Sequence, residues 1–197
     1  ITDFVINVHH RPESVVGLVG TGSALGVHVA YSSETELMGT AGALIAARSL
    51  IGDQSFLVVY ADNLFDIQLN RLLANHRASG ATATMAIFER DDVSSSGVAI
   101  LTRSGWISEL HEKPRPNAIA SHWVNAGLLV LEPEVYGLIP EHGPSDLSRD
   151  VMPLLAGRRH GLRGHPLGVD ERVLWIDTME DLAAAEAAIA PAMAAEL

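Results

Sequence analysis

Residues 55–63 read SFLVVYADN, an apolar run that ends in a carboxylate and an amide. The apolar part has the length and composition of a buried strand. A helical pattern follows over residues 67–78, and a further strand over 81–88. Strands that alternate with helices in this way predict a parallel, doubly wound α/β sheet. Ligands of such sheets bind at the carboxyl ends of the strands, which is where Asp62 stands.

The same pattern extends on both sides of this stretch. Upstream, the sequence predicts strands over residues 3–8 and 27–31, a short helix or turn over 13–19 and a helix over 43–50. Downstream, the predicted elements are a hairpin of strands 97–102 and 106–111, a strand over 124–131, short helices over 133–139 and 147–155, strands over 162–166 and 173–176, and a helix over 177–189. We therefore expect one Rossmann-like α/β domain over residues 1–197, with a mixed, mainly parallel sheet and a smaller α+β extension.

Composition narrows the classes of function. The chain has 197 residues, 48% of them hydrophobic, which is enough for one sizeable core. The net charge of −11 opposes binding to a nucleic-acid backbone, and an anionic substrate needs local cations or a divalent metal. No apolar run has the length of a membrane span, and the absence of cysteine fits the cytoplasm.

Two carboxylates end predicted strands, Asp62 after SFLVVY and Asp177 in WIDT. A carboxylate in that position can hold Mg²⁺, which takes one or two carboxylates together with phosphate oxygens. Aspartate is also a favoured helix N-cap, and a helix is predicted after each of the two. The pattern alone leaves both interpretations open.

Three further segments carry polar groups beside glycine or proline. They are ETELMGTAG at residues 34–42, which opens a helix, EKP at 112–114 and WVNAG at 123–127. In the first, a glycine-rich helix start offers free backbone amides to a flat ligand, although a plain helix cap is an equal alternative. In the second, Lys113 is the only lysine beside twelve arginines, which favours a place that needs a compact ammonium over a surface ion pair. In the third, Asn125 offers a donor and an acceptor to a polyol, with a β-bulge or turn as the alternative.

Together and in order, these segments resemble the sugar-phosphate nucleotidyltransferases, the family of mannose-1-phosphate guanylyltransferases and glucose-1-phosphate thymidylyltransferases. The matching stretches are VINVHH, ELMGTAGAL, FLVVYADN, SGVAIL, HEKP, VNAGLLVLEPEV and WIDTMEDLAAA, between Val5 and Ala185. The resemblance implies transfer of a nucleotide to a sugar 1-phosphate, with release of pyrophosphate, in the synthesis of polysaccharide precursors. It divides the chain into a nucleotide-binding part, residues 1–90, and a sugar-phosphate-binding part, 91–197.

The resemblance also implies roles for single residues. Asp62 and Asp177 match the magnesium ligands, and Asp62, Lys113 and Asp177 the catalytic groups. The implied nucleotide contacts are Glu34, Gly39, Thr40, Ala41 and Asp62. The implied sugar-phosphate contacts are Gly97, Glu112, Lys113, Asn125 and Gly127. Because an ionised carboxylate only accepts hydrogen bonds, Glu34 favours guanine, which presents two donors on one edge, and hence GTP.

The sequence departs from the family pattern in two places. The family begins with a strand, a glycine-rich loop with an arginine and a Pro-Lys-Pro segment, and none of these precedes Ile1. We therefore expect that residues 1–197 are truncated and inactive without that triphosphate-binding loop. Ala61 also replaces the glycine that usually precedes the metal aspartate.

Other interpretations remain open at this point. A glycosyltransferase with a similar sheet also has a strand-end aspartate, and the absent loop fits a non-catalytic regulatory subunit. The adjacent His9 and His10 point to opposite faces of a strand, which argues against a shared metal ion, and for His111 a structural role is favoured over a substrate contact. The sugar and the oligomeric state, a homo-oligomer included, stay open.

Overall fold

The computed structural model describes residues 1–94, 96–115, 121–176 and 178–195. Asp177, the second expected metal ligand, lies outside the described residues. The strands are β1 (Asp3–Val8), β2 (His28–Ser33), β3 (Phe56–Val59), β4 (Asn63–Asp66), β5 (Ala83–Glu89), β6 (Gly97–Leu101), β7 (Ile107–Glu112), β8 (Trp123–Leu131), β9 (Leu162–Pro166) and β10 (Arg172–Trp175). The α-helices are α1 (Pro12–Val19), α2 (Gly39–Ile51), α3 (Leu69–Ser79), α4 (Met152–Leu155) and α5 (Met179–Ala195).

The central sheet is built around β8, whose residues are all buried after Trp123. Its strands follow the order β7-β6-β8-β5-β9, and β3 also pairs with β8. Because β5 occupies one edge of β8 along most of its length, β3 and β6 share the other edge. Strand β8 belongs to the second half of the chain and joins strands of both halves into one sheet.

The sheet is mixed. Its β5–β9 pair is parallel, whereas β3–β8, β5–β8, β6–β7 and β6–β8 are antiparallel. Strands β1 and β2 form a separate parallel pair, and β4 pairs with β10 outside this sheet. Helix α2 and the segment around Val151 cover one face of the sheet through a core that includes Leu129 and Ile87. Helix α3 covers the other face through Leu72, against Leu128. The α/β class with a mixed sheet is confirmed.

The structure corrects three details of the predicted elements. A short strand, β4, lies between Asp62 and α3 and pairs antiparallel with β10. Asp62 is therefore not the N-cap of the next helix, because α3 starts at Leu69 with Gln68 as its N-cap. The predicted helix over residues 133–139 is a 3₁₀ helix, Pro133–Leu138, and the one over 147–155 begins as a π-helical segment, Leu147–Val151, before α4.

Strand β3 is less buried than predicted, and β1 is partly exposed as well. Val59 is 50% exposed and Phe4 is 43% exposed. Within the described residues, β1 pairs only with β2, and β3 only with β8. Each strand therefore has one free edge, and the apolar run that suggested a fully buried strand is only partly covered.

None of the helices in the described parts of the chain is both long and apolar enough to cross a bilayer.

Candidate active site

The first cluster lies where β6 and β7 pair. Gly97 is opposite Glu112 in this pair. A Cβ atom on Gly97 would lie 3.0 Å from Oε2 of Glu112 and 3.8 Å from Cβ of Asn125. Glycine at this position therefore leaves space between the carboxylate and the amide. The structure brings together three of the residues that the sequence assigned to the sugar.

Lys113 follows Glu112 in a left-handed backbone conformation, with φ of +45°. Its amide donates to the carbonyl of Ser96 at 3.0 Å, which fixes the turn after β7. A left-handed conformation costs a residue other than glycine about 1–2 kcal/mol, and such strain is concentrated at functional sites. The side chain is exposed, as the expected contact with a phosphate requires.

A β-bulge in β8 shapes the neighbouring residues. The register shifts between Met85 and Ile87, which pair with Leu129 and Asn125. The extra residues of β8 include Gly127, with φ of +80°. The structure thus confirms the β-bulge alternative for the WVNAG segment. Bulges commonly occur beside active sites, where they re-aim side chains, so a bulge is compatible with the predicted polyol contact.

Asn125 is 8% exposed, and both the oxygen and the nitrogen of its side-chain amide form hydrogen bonds. Its Oδ1 accepts from the amide of Gly127 at 2.9 Å, and its Nδ2 donates to Oγ of Ser148 at 3.2 Å. One amide hydrogen and one lone pair remain for a ligand. These bonds fix the orientation of the amide, and its contact with the sugar stays a prediction.

Asp62 lies in the tight turn between β3 and β4. The amide of Asn63 donates to the carbonyl of Tyr60 at 3.2 Å across this turn. Gly127 packs against the turn, since a Cβ there would lie 2.8 Å from Nδ2 of Asn63 and 3.1 Å from Cβ of Tyr60. Asp62 itself is exposed, and its carboxylate has no hydrogen bond or ion pair to the described residues. It is therefore available to a cation.

The residues around Asp177 bear on its predicted pairing with Asp62. Trp175 in β10 pairs with Asn63 in β4. The strand that leads toward Asp177 thus runs beside the residue that follows Asp62. In the described residues, no group of three or more histidine or carboxylate side chains is placed to hold a metal ion. His9, one of the two adjacent histidines, has its Nδ1 atom 2.9 Å from the carbonyl oxygen of Glu34.

The start of α2 differs from the expectation of free amides. The amides of Ala41 and Gly42 donate to the carbonyl of Ser145 at 3.0 and 3.3 Å. Ala41 is also fully buried. The expectation is therefore wrong for these two residues, because a distant loop caps the helix. Gly39, with φ of +73°, packs directly against the same Ser145 carbonyl.

Thr40 and Glu34 are bonded within the protein as well. Oγ1 of Thr40 donates to Asp146 at 2.7 Å. The carboxylate of Glu34 accepts from the amide of Met38 at 3.2 Å and from Nδ2 of Asn7 at 3.3 Å. Glu34 thus stabilises the turn before α2. Its carboxylate oxygens retain lone pairs for a nucleobase.

The segment Leu147–Val151 contributes residues that the sequence did not reveal. Ser148, 8% exposed, bonds to Asn125, and its Oγ lies 3.4 Å from the hydroxyl of Tyr60. π-Helical turns are rare and occur frequently at functional sites. Ser148 connects the end of β3, near Asp62, with β8.

A cleft of about 570 Å³ opens beside this segment. Its lining residues are Leu110, His111, Glu112, Pro114, Arg115, Ser148, Arg149 and Pro153. Arg149 was not predicted as a site residue. Its guanidinium makes a two-pronged contact with Asp150, at 2.8 Å for each hydrogen bond. This contact, with a hydrogen bond from the amide of Asp146, lowers the pKa of Asp150 to about 2.

The charges in the cleft influence one another. Burial raises the pKa of Glu112, the charge of Asp146 adds to this, and Lys113 and Arg149 oppose it. Burial also raises the pKa of Tyr60, with smaller contributions from Asp146 and Glu112. His111 lies at the rim, and its Nε2 is 2.9 Å from Oε2 of Glu109. The cleft thus combines cations for a phosphate with acceptors for hydroxyl groups.

Comparisons with known proteins identify the family of this chain. The family model described as "Nucleotidyl transferase" matches residues 1–187. A UTP–glucose-1-phosphate uridylyltransferase from Synechocystis is 31% identical over 186 residues, which cover 88% of this chain and 47% of that protein. A mannose-1-phosphate guanyltransferase from Eremothecium gossypii is 34% identical over 164 residues, 81% of this chain and 45% of the relative. The chain spans about half the length of these curated relatives.

Solved structures share the fold. A Bacillus anthracis protein, assigned as a glucose-1-phosphate thymidylyltransferase, superposes with a TM-score of 0.82 at 23% identity, over 95% of this chain and 76% of that one. A UDP-glucose pyrophosphorylase bound to UDP-glucose gives a TM-score of 0.77 at 17% identity, over 96% and 81% of the two chains. The resemblance found in the sequence is confirmed, and the chain belongs to the nucleotidyl transferase family.

Proposed function

We propose that this protein joins a sugar 1-phosphate to a nucleoside triphosphate, with GTP favoured, and releases pyrophosphate. The observation that carries the proposal is the convergence of Gly97, Glu112 and Asn125 next to the strained Lys113. Contacts through Gly127 link this group to the turn that holds Asp62. Acceptors for hydroxyls, a cation for a phosphate and a metal-binding carboxylate suit the two substrates together.

In this mechanism the protein positions the two substrates and neutralises their charges. An oxygen of the sugar 1-phosphate attacks the α-phosphorus of the triphosphate, the new P–O bond forms, and the bond to pyrophosphate breaks in line. Glu112 accepts hydroxyl hydrogens of the sugar, Asn125 orients the ring, and Lys113 neutralises the sugar phosphate. Arg149 lines the same cleft, and the guanidinium N–H groups that do not bond to Asp150 can donate to a phosphate oxygen.

Asp62 and Asp177 are the proposed ligands of Mg²⁺. The carboxylate of Asp62 supports this because it is exposed and has no hydrogen bond or ion pair to the part of the chain that the structure describes, as does the pairing of Trp175 with Asn63. When bound, Mg²⁺ would reduce the repulsion between the two phosphorylated substrates. The nucleotide contacts proposed for Glu34, Gly39 and Thr40 surround the start of α2, and the buried Ala41, whose amide is bonded to Ser145, is not among them. We further propose that residues 1–90 and 91–197 form one domain, as the shared strand β8 supports.

Binding and turnover test the proposal separately. Isothermal titration of the chain with a panel of hexose and heptose 1-phosphates reports the sugar site. Lys113→Ala should weaken binding at least tenfold, since a charge-assisted hydrogen bond contributes about 1.5–3 kcal/mol. Arg77→Ala, which removes an exposed cation from α3, is the matched control. Equal affinities in the two variants would contradict the role of Lys113.

Turnover is measured as pyrophosphate release, with any residues that the gene encodes upstream of Ile1 included. Asp62→Asn should abolish the magnesium-dependent rate, whereas Asp66→Asn, in the neighbouring β4, should keep it. Asp66 serves as the control because its only ion pair in the described residues is an exposed contact with Arg172. Sugar transfer from a ready-made nucleotide sugar without pyrophosphate would identify a glycosyltransferase instead. Nucleotide-sugar binding without any turnover would identify a regulatory subunit.

The preference for GTP rests on Glu34. A nucleotide panel should give the highest kcat/KM with GTP, and Glu34→Gln should reduce the preference over UTP because an amide both donates and accepts. A clear preference for UTP or dTTP in the unaltered protein would overturn this part. Fractionation of cells tests the proposed cytoplasmic location, and size-exclusion chromatography the proposed homo-oligomer.

A further inference from the structure

A second cleft, of about 490 Å³, lies at the opposite end of β7 from the candidate active site. It opens between the turn that joins β6 to β7 and the loop after α4. Strand β7 runs from Ile107 at this cleft to Glu112 at the other, so the two are about 17 Å apart at roughly 3.4 Å per residue. The polar and aromatic lining residues are Thr102, Trp106, Ser108, Arg158, Arg159 and His160.

Positive charge is concentrated in the loop that forms one wall. Arg158, Arg159 and His160 are consecutive and exposed. Neither arginine forms an ion pair with an acidic side chain in the described residues, although the chain has 24 acidic residues against 13 lysines and arginines. Four other arginines do form such pairs. Two free guanidinium groups on an acidic protein are available to an external anion.

The backbone of the loop that carries these cations is held at both ends. The amide of Gly157 donates to the carbonyl of Ile107 at 3.0 Å, which ties the loop to β7. The carbonyl of His160 accepts from Thr82 at 2.8 Å, which ties the loop to β5. His160 itself has φ of +57°, a strained conformation that is concentrated at binding sites. A preorganised group loses less entropy when a ligand binds.

Trp106 forms a further part of the wall. Its ring lies 5.7 Å from the ring of His160, edge to face, and 5.5 Å from the guanidinium of Arg163. Arg163 is anchored in turn to the carbonyl of Ser104. The aromatic ring is therefore fixed beside the two free arginines and provides an apolar surface next to the charge.

We propose that this cleft binds a small phosphorylated molecule through Arg158 and Arg159, against Trp106. The planar guanidinium groups match phosphate oxygens in two-pronged contacts. The ligand is either free phosphate or a phosphate ester whose ring packs on the wall. This site is separate from the candidate active site and does not depend on the function proposed for it.

The test is a titration of the 197-residue chain in EDTA with inorganic phosphate, glucose 6-phosphate or ADP, followed by tryptophan fluorescence and calorimetry. At least one of the three should bind saturably. Arg158→Gln and Arg159→Gln should each raise its Kd about tenfold, the loss expected for a charge-assisted hydrogen bond. The probe with the lowest Kd distinguishes free phosphate from an ester.

Two controls separate the site from other causes. Arg11→Gln and Arg77→Gln make the same change in net charge at exposed arginines that line neither cleft. Both should leave the Kd within about twofold, and thermal unfolding confirms that each variant folds. The proposal is overturned if none of the three probes binds saturably, if both cleft variants keep the original Kd, or if a control weakens binding as much as they do.

Discussion

Replacing Gly39 by alanine tests the contact between the start of α2 and Ser145. A Cβ at this position would run into the carbonyl oxygen of Ser145. The same oxygen accepts the amides of Ala41 and Gly42. Because the oxygen belongs to the backbone, it cannot rotate aside as the end of a side chain does. We expect the loop and the helix to separate locally.

The expected loss of stability is the sum of two parts. A left-handed conformation costs alanine about 1–2 kcal/mol. Weakening two amide–carbonyl bonds adds roughly 0.5–1.5 kcal/mol each. We therefore expect Gly39→Ala to lower the free energy of unfolding by about 3 kcal/mol. Gly80→Ala should cost only about 1 kcal/mol, because Gly80 has φ of +60° but no heavy atom within 4 Å of an added Cβ.

Urea unfolding followed by circular dichroism measures these values. Gly137→Ala provides the baseline, since Gly137 has neither a positive φ nor a close neighbour; it should change the free energy by less than about 0.5 kcal/mol. If Gly39→Ala were no more destabilising than Gly80→Ala, the reasoning about the Ser145 carbonyl would be refuted. The helix start would then be free of the loop and open to a nucleotide.

Three further outcomes are expected. Gly97→Ala should weaken sugar-phosphate binding in calorimetry about tenfold with a small effect on stability, since its Cβ would lie 3.0 Å from Oε2 of Glu112; unchanged affinity would mean that the sugar lies elsewhere. His76→Leu should lower the free energy of unfolding in urea by about 2 kcal/mol, because it leaves the hydroxyl of buried Thr84 without its 2.8 Å partner; an unaltered midpoint would contradict this. Asp150 has a pKa of about 2 against an ordinary 3.8, so its ionised form should stabilise the fold above about pH 4 and lose that effect as the pH falls toward 2. The variant Asp150→Asn should therefore be less stable than the parent at pH 7 and as stable as the parent near pH 2.

The sequence predicts what depends on local pattern. Runs of apolar residues and their interruptions predict the strand before Asp62, the turn after β7 that carries Lys113, and helix α2. Family resemblance then links segments that lie far apart in sequence. This combination was enough to anticipate the α/β class and the cluster of Gly97, Glu112 and Asn125.

Other features depend on contacts across long separations. Strand β4 is short, and its only partner in the described residues is β10, more than a hundred residues later. The bonds of Thr40 to Asp146 and of Ala41 to Ser145 join equally distant segments. One local signal was present, since Asp146 accepts from the amide of Arg149 in a helix-capping contact at 2.9 Å. It marks the start of a helix but not its π-helical form or its role.

The exposure of Lys113 has a practical consequence. It is the only lysine in residues 1–197, so a protein expressed as these residues offers an acylating reagent two primary amines, the side chain of Lys113 and the N-terminal amine. A mild anhydride therefore works as a chemical footprint of this turn, read by mass spectrometry after digestion. A ligand that covers the ammonium of Lys113 will slow its acylation relative to the acylation of the N-terminal amine, which serves as the internal reference in the same sample.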